Sequence, residues 1–426
     1  MKNIWIDILH IPQFNFYKPF IGLLVEKGYH VYVTALGRGK LPAIVRKELA
    51  EYKNVDISII GRHRMTKLSA IIEANLIRIV WLFFWCIGKK IDVAFSNGSH
   101  VGMMGRIFRF PAYEFEDDPQ AADYHLMCRY ATQNHSIVYE MPEGQELDKR
   151  DKLVACLKEW AYLNPRTFVP KVEVLEKYGV KPKEYMFLRE VSVGTINYAG
   201  QASGAILGIK DMIPTDMRVL FSLEEKKRRD EYPTDWIMLQ EPIEDIHSLI
   251  YYSAGLVSSG DSMAREAALL GVPSYYLGIR YSMPANAAAS KVASLQNQRT
   301  MGFEEWIHEY IEDKPKKEIT KNTESTVADS NLQDLASQSA CMQASRQLDN
   351  QVPATDADAH HLSDSSQKNV ICDNSQKNVS SDDTSKNGHA DDRVRRLTEK
   401  QRELREHIDG EFIDINQYML NLIENK

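Results

Sequence analysis

Residues 254–278 read AGLVSSGDSMAREAALLGVPSYYLG, and their pattern decides the fold. The short run Gly255-Leu256-Val257-Ser258 has the length and composition of a buried strand, and residues 273–277 form a second such run. Between them lies a polar turn, Ser259-Gly260-Asp261-Ser262. An amphipathic helix follows, packed through Ala267, Ala268, Leu269 and Leu270 and ended by Gly271 and Pro273. Strand, turn, helix and strand make a βαβ unit, whose strands are parallel. A helix start carries bare backbone N–H groups and partial positive charge, so a small-residue turn there can hold a phosphate. Gly260 lets the backbone approach an anion, and Ser262 suits either a helix cap or a hydroxyl donor. Glu266, one turn further on, is in reach of sugar hydroxyls. The same residues also satisfy an ordinary capped helix, and the Asp261 carboxylate opposes an anion at the turn.

The run from Gly260 to Pro273 resembles the nucleotide-sugar motif of GT-B-fold enzymes, the UDP-N-acetylglucosamine 2-epimerases and MurG-like glycosyltransferases. In those enzymes the small-residue turn holds the diphosphate and a glutamate followed by alanine holds the ribose. The chain is similar more closely to a prokaryotic family catalogued as a domain of unknown function in that superfamily. Trp5-Ile6-Asp7-Ile8, Phe16-Tyr17-Lys18-Pro19-Phe20-Ile21, Leu188-Arg189-Glu190-Val191-Ser192 and Ile246-His247-Ser248-Leu249-Ile250-Tyr251-Tyr252 share the likeness, which spans residues 1 to about 300.

This resemblance implies an α/β fold of two Rossmann-like doubly wound domains facing a cleft (GT-B-like). It also implies a nucleotide-diphosphate sugar as substrate, a UDP-sugar first of all, with no bound metal or other cofactor. The diphosphate would lie on Gly260, Asp261 and Ser262, the ribose on Glu266, and a glycan or lipid-linked acceptor on the first domain. Glycosyl transfer in cell-surface polysaccharide or glycoconjugate biosynthesis is the first expectation, and a UDP-N-acetylglucosamine 2-epimerase-like reaction the second. Gln13 and Asn15 stand where relatives tend to carry histidines, and Val193, Asn197 and Tyr198 where they carry a tryptophan and a His-Asp pair. Those departures keep a third reading open, a nonenzymatic nucleotide-sugar-binding protein.

A chain of 426 residues exceeds one ordinary core, so two domains are expected, 1–150 and 151–313. The charge-rich, proline-punctuated stretch 142–170 marks their boundary. Residues 314–392 are rich in Ser, Asp, Asn, Gln and Lys, and DSSQKNV at 364–370 nearly recurs as DNSQKNV at 373–379. Such a tract buries too little apolar surface to offset its chain entropy and reads as a disordered insertion, with a C-terminal helical segment at 393–426 closing over both domains. The net charge of −7 offers no footprint for nucleic acid. Five scattered cysteines without a Cys-x-x-Cys pair argue against a zinc or disulfide framework and suit the cytoplasm. The N-terminus runs directly into a strand pattern, with no signal peptide in view.

In the first half, strands alternate with helices, and loops at strand carboxyl ends hold the candidate chemistry. His10 follows the first strand. His100 follows the fourth, in the small-residue turn Asn97-Gly98-Ser99-His100. Asp117, in Glu116-Asp117-Asp118-Pro119, is the candidate base, although an acidic turn explains that cluster equally well. Arg189 ends the strand that opens the second domain, where it either grips a diphosphate or pairs with Glu190 on the surface. Residues 68–88 are the most apolar of the chain, with a core at 79–87 too short to span a bilayer. They read either as a buried crossover helix or as a helix dipping Trp81, Phe84 and Trp85 into the inner face of the plasma membrane, with Lys89 and Lys90 on anionic headgroups.

Overall fold

In the computed structural model, residues 2–62, 69, 72–115, 152–193, 200–240, 243, 245–280, 284–312 and 383–425 are described. Residues 1–314 and 388–426 form one compact unit, which contains two parallel sheets. The first sheet comprises β1 (Asn3–Ile8), β2 (His30–Gly37), β3 (Val55–Arg62), β4 (Val93–Ser96) and β5 (Ala112–Glu114), in the order β3-β2-β1-β4-β5. The second comprises β6 (Tyr185–Glu190), β7 (Arg218–Leu223), β8 (Ile237–Met238), β9 (Gly255–Ser258), β10 (Ser274–Tyr276) and β11 (Leu295–Asn297), in the order β11-β10-β9-β6-β7-β8. The central strands are buried on both faces, which explains their near-continuous apolar runs. Each sheet winds outward on one side of its first strand and then crosses to the other, as a doubly wound fold does. The Rossmann-like, two-sheet class expected from the sequence is the one observed.

Helices connect the strands. In the first half these are α1 (Ile11–Glu26), α2 (Leu41–Glu48), α3 (Arg78–Cys86) and α4 (His100–Phe108). In the second half they are α5 (Trp160–Leu163), α6 (Ile246–Tyr251), α7 (Asp261–Leu269), α8 (Pro284–Val292) and α9 (Phe303–Trp306). At the C-terminus come α10 (Asp383–Glu411) and α11 (Ile415–Glu424). The closing segment ties the halves together. The Gln401 amide donates to the Leu270 carbonyl at 2.8 Å, and Arg405 donates to the Leu163 carbonyl at 2.8 Å. The Ile413 N–H donates to Ala155 at 2.9 Å, and Lys2 of the first strand's edge donates to the Ile423 carbonyl.

α1 begins at Ile11, with Pro12 in its first turn, where its missing N–H costs nothing. A further strand, β11, follows α8. Two features differ from the sequence reading. α10 starts at Asp383, ten residues inside the tract assigned to disorder: once its packed C-terminal turns are nucleated, each added residue gains a backbone hydrogen bond. α3 is the crossover between β3 and β4, yet only Arg78, Leu82 and Cys86 are buried, so the fully buried reading fails. The acidic cluster with Asp117 and the remainder of the 314–392 tract lie outside the described residues.

Candidate functional site

A doubly wound sheet opens a crevice where the winding reverses, beyond the carboxyl ends of the two strands that flank the reversal. In the first sheet those strands are β1 and β4, and in the second they are β6 and β9. The loop after β1 carries His10 and the turn after β4 carries His100. β6 ends with Arg189 and Glu190, and the turn after β9 leads through Gly260 into Asp261 and Ser262. All described candidates except Glu266, one turn into α7, therefore flank the two reversal points.

The turn after β9 is held stiffly. The Ser258 hydroxyl accepts from the Gly260 N–H at 3.0 Å and donates to the Gly260 carbonyl at 2.7 Å. The Ser259 hydroxyl accepts from the Val191 N–H at 2.9 Å, linking the β6 and β9 loops across the reversal. Gly260 is the N-cap of α7, in extended conformation and with no side-chain cap hydrogen bond. Ser262 lies inside the helix and is not the cap. The buried Asp261 carboxylate accepts from Arg265, one turn along the helix, at 3.0 Å. Burial works to raise the Asp261 pKa, but the charges of Arg265 and Arg280 hold it below the usual carboxylate range. Arg265, 1% exposed, also donates to Glu159 at 3.1 Å and to the Asn286 side-chain Oδ1 at 2.9 Å. The repulsion that Asp261 threatened at an anion site is thus offset by a buried guanidinium.

Glu266 is held from two sides. Tyr162 of α5 donates to it at 2.6 Å, and His247 Nε2 of α6 stands 3.3 Å away. Burial would raise its pKa, yet the His247 interaction and the Tyr162 hydrogen bond leave it lowered, so the carboxylate is charged. The Tyr162 phenol is pushed upward by burial and by Glu266, and stays a donor. Tyr162 and His247 line a groove of about 590 Å³ whose other wall is α1, with Asn15 and Lys18.

Arg189 is not paired with Glu190: it donates to the Ser222 hydroxyl at 2.7 Å and pairs with Glu224 at the exit of β7. Glu190 is buried, accepts from the Ile206 N–H at 2.7 Å, and is raised above the usual range by that burial.

At the reversal point of the first sheet, His10 is the N-cap residue of α1, and its carbonyl accepts from Gln13 and Phe14. His100 opens α4, buried, with Nδ1 4.0 Å from Asp7. Asp7 is fully buried in β1 and accepts from both terminal nitrogens of Arg78 at 2.9 and 2.6 Å and from Thr34 at 2.5 Å. Burial pushes its pKa up, and Arg78 more than offsets this, leaving it lowered. Ordinary sequence reasoning passed over Asp7, Arg78, Tyr162 and Arg265. For the first two a signal existed: a lone carboxylate inside an apolar strand and a lone guanidinium inside an apolar helix each need a partner.

No family model and no curated protein matches the chain. Among solved structures it is similar to the glycotransferase of kitacinnamycin, at 10% identity and a TM-score of 0.49, over 73% of this chain and 90% of that one. It is similar also to UDP-GlcNAc 2-epimerase from Neisseria meningitidis bound to UDP-GlcNAc, at 13% identity and 0.48, over 73% and 90%. Acinetobacter baumannii MurG follows at 12% identity and 0.43, over 71% and 88%. At these identities no residue role is carried across.

Proposed function

We propose that the chain is a cytoplasmic glycosyltransferase that uses a nucleotide-diphosphate sugar, with a UDP-sugar as first candidate. The observation that carries this reading is the coincidence of the candidate loops with both reversal points of a two-sheet fold. The diphosphate lies against the α7 tip, where backbone N–H groups and the helix dipole stabilise the leaving charge without a protonation step. Glu266, held ionised, accepts from the ribose hydroxyls. The acceptor, a glycan or a lipid-linked saccharide, enters from the side of His10 and His100. Its hydroxyl oxygen bonds to the anomeric carbon, the bond from that carbon to the phosphate oxygen breaks, and the nucleoside diphosphate leaves with the electron pair. The acceptor proton passes to a base of the first half, for which His10, His100 and Asp117 are the candidates. Cell-surface polysaccharide or glycoconjugate synthesis is the setting this chemistry suits.

A second reading, binding without turnover, is favoured by the engagement of Arg189 with Ser222 and Glu224. Titration calorimetry with UDP-, GDP- and CMP-sugars, followed by product analysis, separates the readings. Slow donor hydrolysis supports transfer, an isomeric sugar supports epimerisation, and tight binding with neither supports a sensor. Glu266→Ala lowers nucleotide affinity by at least about tenfold if the ribose assignment holds, the equivalent of one lost charged hydrogen bond. Unchanged affinity removes Glu266 from the site.

A further inference from the structure

The stretch from Ile72 to Lys90 leaves an unusual surface. Ile72, Leu76, Val80, Trp81, Phe84 and Ile87 are all exposed, Trp81 and Phe84 to 61% each. Ile72, Leu76, Val80 and Phe84 recur every four residues along a helical stretch that runs through a π-helical segment (Glu73–Ile77) into α3, with Trp81 beside them and Ile87 just past the helix end. Ile107 of the neighbouring α4 is exposed too. The opposite face, with Arg78, Leu82 and Cys86, is buried against the sheet, so this helix is apolar on both sides. Beside the stripe, a cavity of about 1020 Å³ at the carboxyl ends of β2 and β3 is lined by Ile59, Trp81, Phe84 and Trp85, together with Arg62 and Glu73.

Charge around the stripe is one-sided. Between residues 72 and 110 stand five bases, Arg78, Lys89, Lys90, Arg106 and Arg109, and two acids, Asp92 and the buried Glu73, which accepts from the Arg62 N–H at 3.0 Å, in a chain whose net charge is −7. Arg78 is committed to Asp7, and Asp92 accepts from the Asn3 N–H at 2.7 Å. Lys90, Arg106 and Arg109 are exposed, and Lys89 lies 4.7 Å from the Trp85 ring centroid. Among the described residues no helix is long and apolar enough to cross a membrane.

We propose that this helical face docks the protein on an anionic lipid bilayer, with the stripe in the acyl boundary and the basic rim on the headgroups. Lysines beside an apolar, aromatic-bearing face are what a headgroup layer takes, whereas the core of a protein interface is depleted of lysine. Docking holds whether or not the donor reading does. Where both hold, the acceptor is lipid-linked, because the stretch starts at the carboxyl edge of the first sheet, where the acceptor enters.

The test is co-sedimentation of the full chain with phosphatidylcholine vesicles, with and without phosphatidylglycerol. The wild type sediments with the anionic vesicles and much less with the neutral ones. Trp81→Ser combined with Phe84→Ser weakens binding by at least about tenfold, since two large apolar side chains leave the interface. Lys89→Gln with Lys90→Gln weakens binding to anionic vesicles and flattens its salt dependence. Quenching of wild-type tryptophan fluorescence by brominated acyl chains needs no variant and reports the same insertion. Absence of wild-type binding, equal binding to neutral vesicles, or undiminished binding by the Trp81/Phe84 variant overturns the proposal. So does self-association of the wild type that the same variant abolishes, which would make the face a protein interface. Nucleotide affinity, measured without vesicles, is unchanged in both variants, and this separates a failure of docking from a failure of the donor reading.

Discussion

Replacing Arg265 by methionine tests the buried charge cluster behind the α7 tip. The substitution removes the guanidinium that joins Asp261, Glu159 and Asn286, and leaves two carboxylates in the interior. Breaking a buried ion pair from one side costs about 3–5 kcal/mol. The structure offers a second route to that figure. A stranded Asp261 escapes its charge by taking a proton, and against its ordinary value of 3.8 this costs about 4 kcal/mol at pH 7 and about 1.6 kcal/mol at pH 5. The wild type and the variant therefore respond to pH with opposite sign. In the wild type the lowered Asp261 contributes stability that is present above its ordinary value and lost as pH falls through the folded one. In Arg265→Met the folded carboxyl is raised, so the folded state holds the extra proton and stability falls as pH rises from about 4 to 7. Urea unfolding at pH 5, 6 and 7 reads the difference between the two proteins. A penalty below about 1 kcal/mol at pH 7, or one that does not shrink in acid, refutes the reasoning. Adding Asp261→Asn and Glu159→Gln to the variant restores most of the loss, because the orphaned charges go with the cation.

Lys183 is buried, donates to the Tyr251 and Ser253 carbonyls, and is pushed down to about 7 by burial. The unfolded chain holds a proton there that the folded one has released, so stability rises with pH by roughly 2 kcal/mol between pH 7 and 9, and Lys183→Met flattens that slope in denaturant titrations. Gly271 has φ +73, and a Cβ there would meet the Gln401 carbonyl oxygen at 2.6 Å. Gly271→Ala accordingly costs about 2–3 kcal/mol and loosens α10, measured as faster proteolysis between 393 and 411; an unchanged rate refutes the contact. Exchanging residues 318–382 for a short Gly/Ser linker leaves the melting temperature within a degree or two, as the composition of the tract implies, and a large drop shows that it supports the fold.

The sheets were legible because parallel strands are buried on both faces and announce themselves as short apolar runs between turns. Gly255 to Ser258 and Asn3 to Ile8 needed no tertiary information. The reversal points were also legible, since β1, β4, β6 and β9 are fixed by chain order once the winding is known. Side-chain commitments were not. Arg189 was weighed against Glu190, its neighbour in sequence, but adjacent residues of a strand point to opposite faces. Its partners come from β7, where Ser222 lies in register with it and Glu224 two residues beyond. The Arg78–Asp7 pair spans 71 residues and Tyr162–Glu266 spans 104. No local period encodes such distances.

These long-range pairs bear on how the site works. Each crevice has a buried carboxylate–guanidinium contact just behind it, Asp7 with Arg78 and Asp261 with Arg265, and each aspartate is lowered by its partner. Buried ion pairs of this kind add little net stability, because desolvation consumes the attraction. What they do here is fix direction. Arg78 binds the β1 end to the first turn of α3, and Arg265 binds the α7 start to Glu159 beside α5 and to Asn286 on α8. On the proposed reading, in which the α7 tip meets a diphosphate, amides that cannot swing are an advantage, since donors oriented in advance need no reorganisation when charge develops on the leaving group. The second crevice is therefore stiff where the donor would bind. A purely structural Arg265 would change stability and leave nucleotide affinity of the folded fraction intact. An orienting one weakens both, and calorimetry on Arg265→Lys, which keeps the charge but loses the planar fork, distinguishes the two.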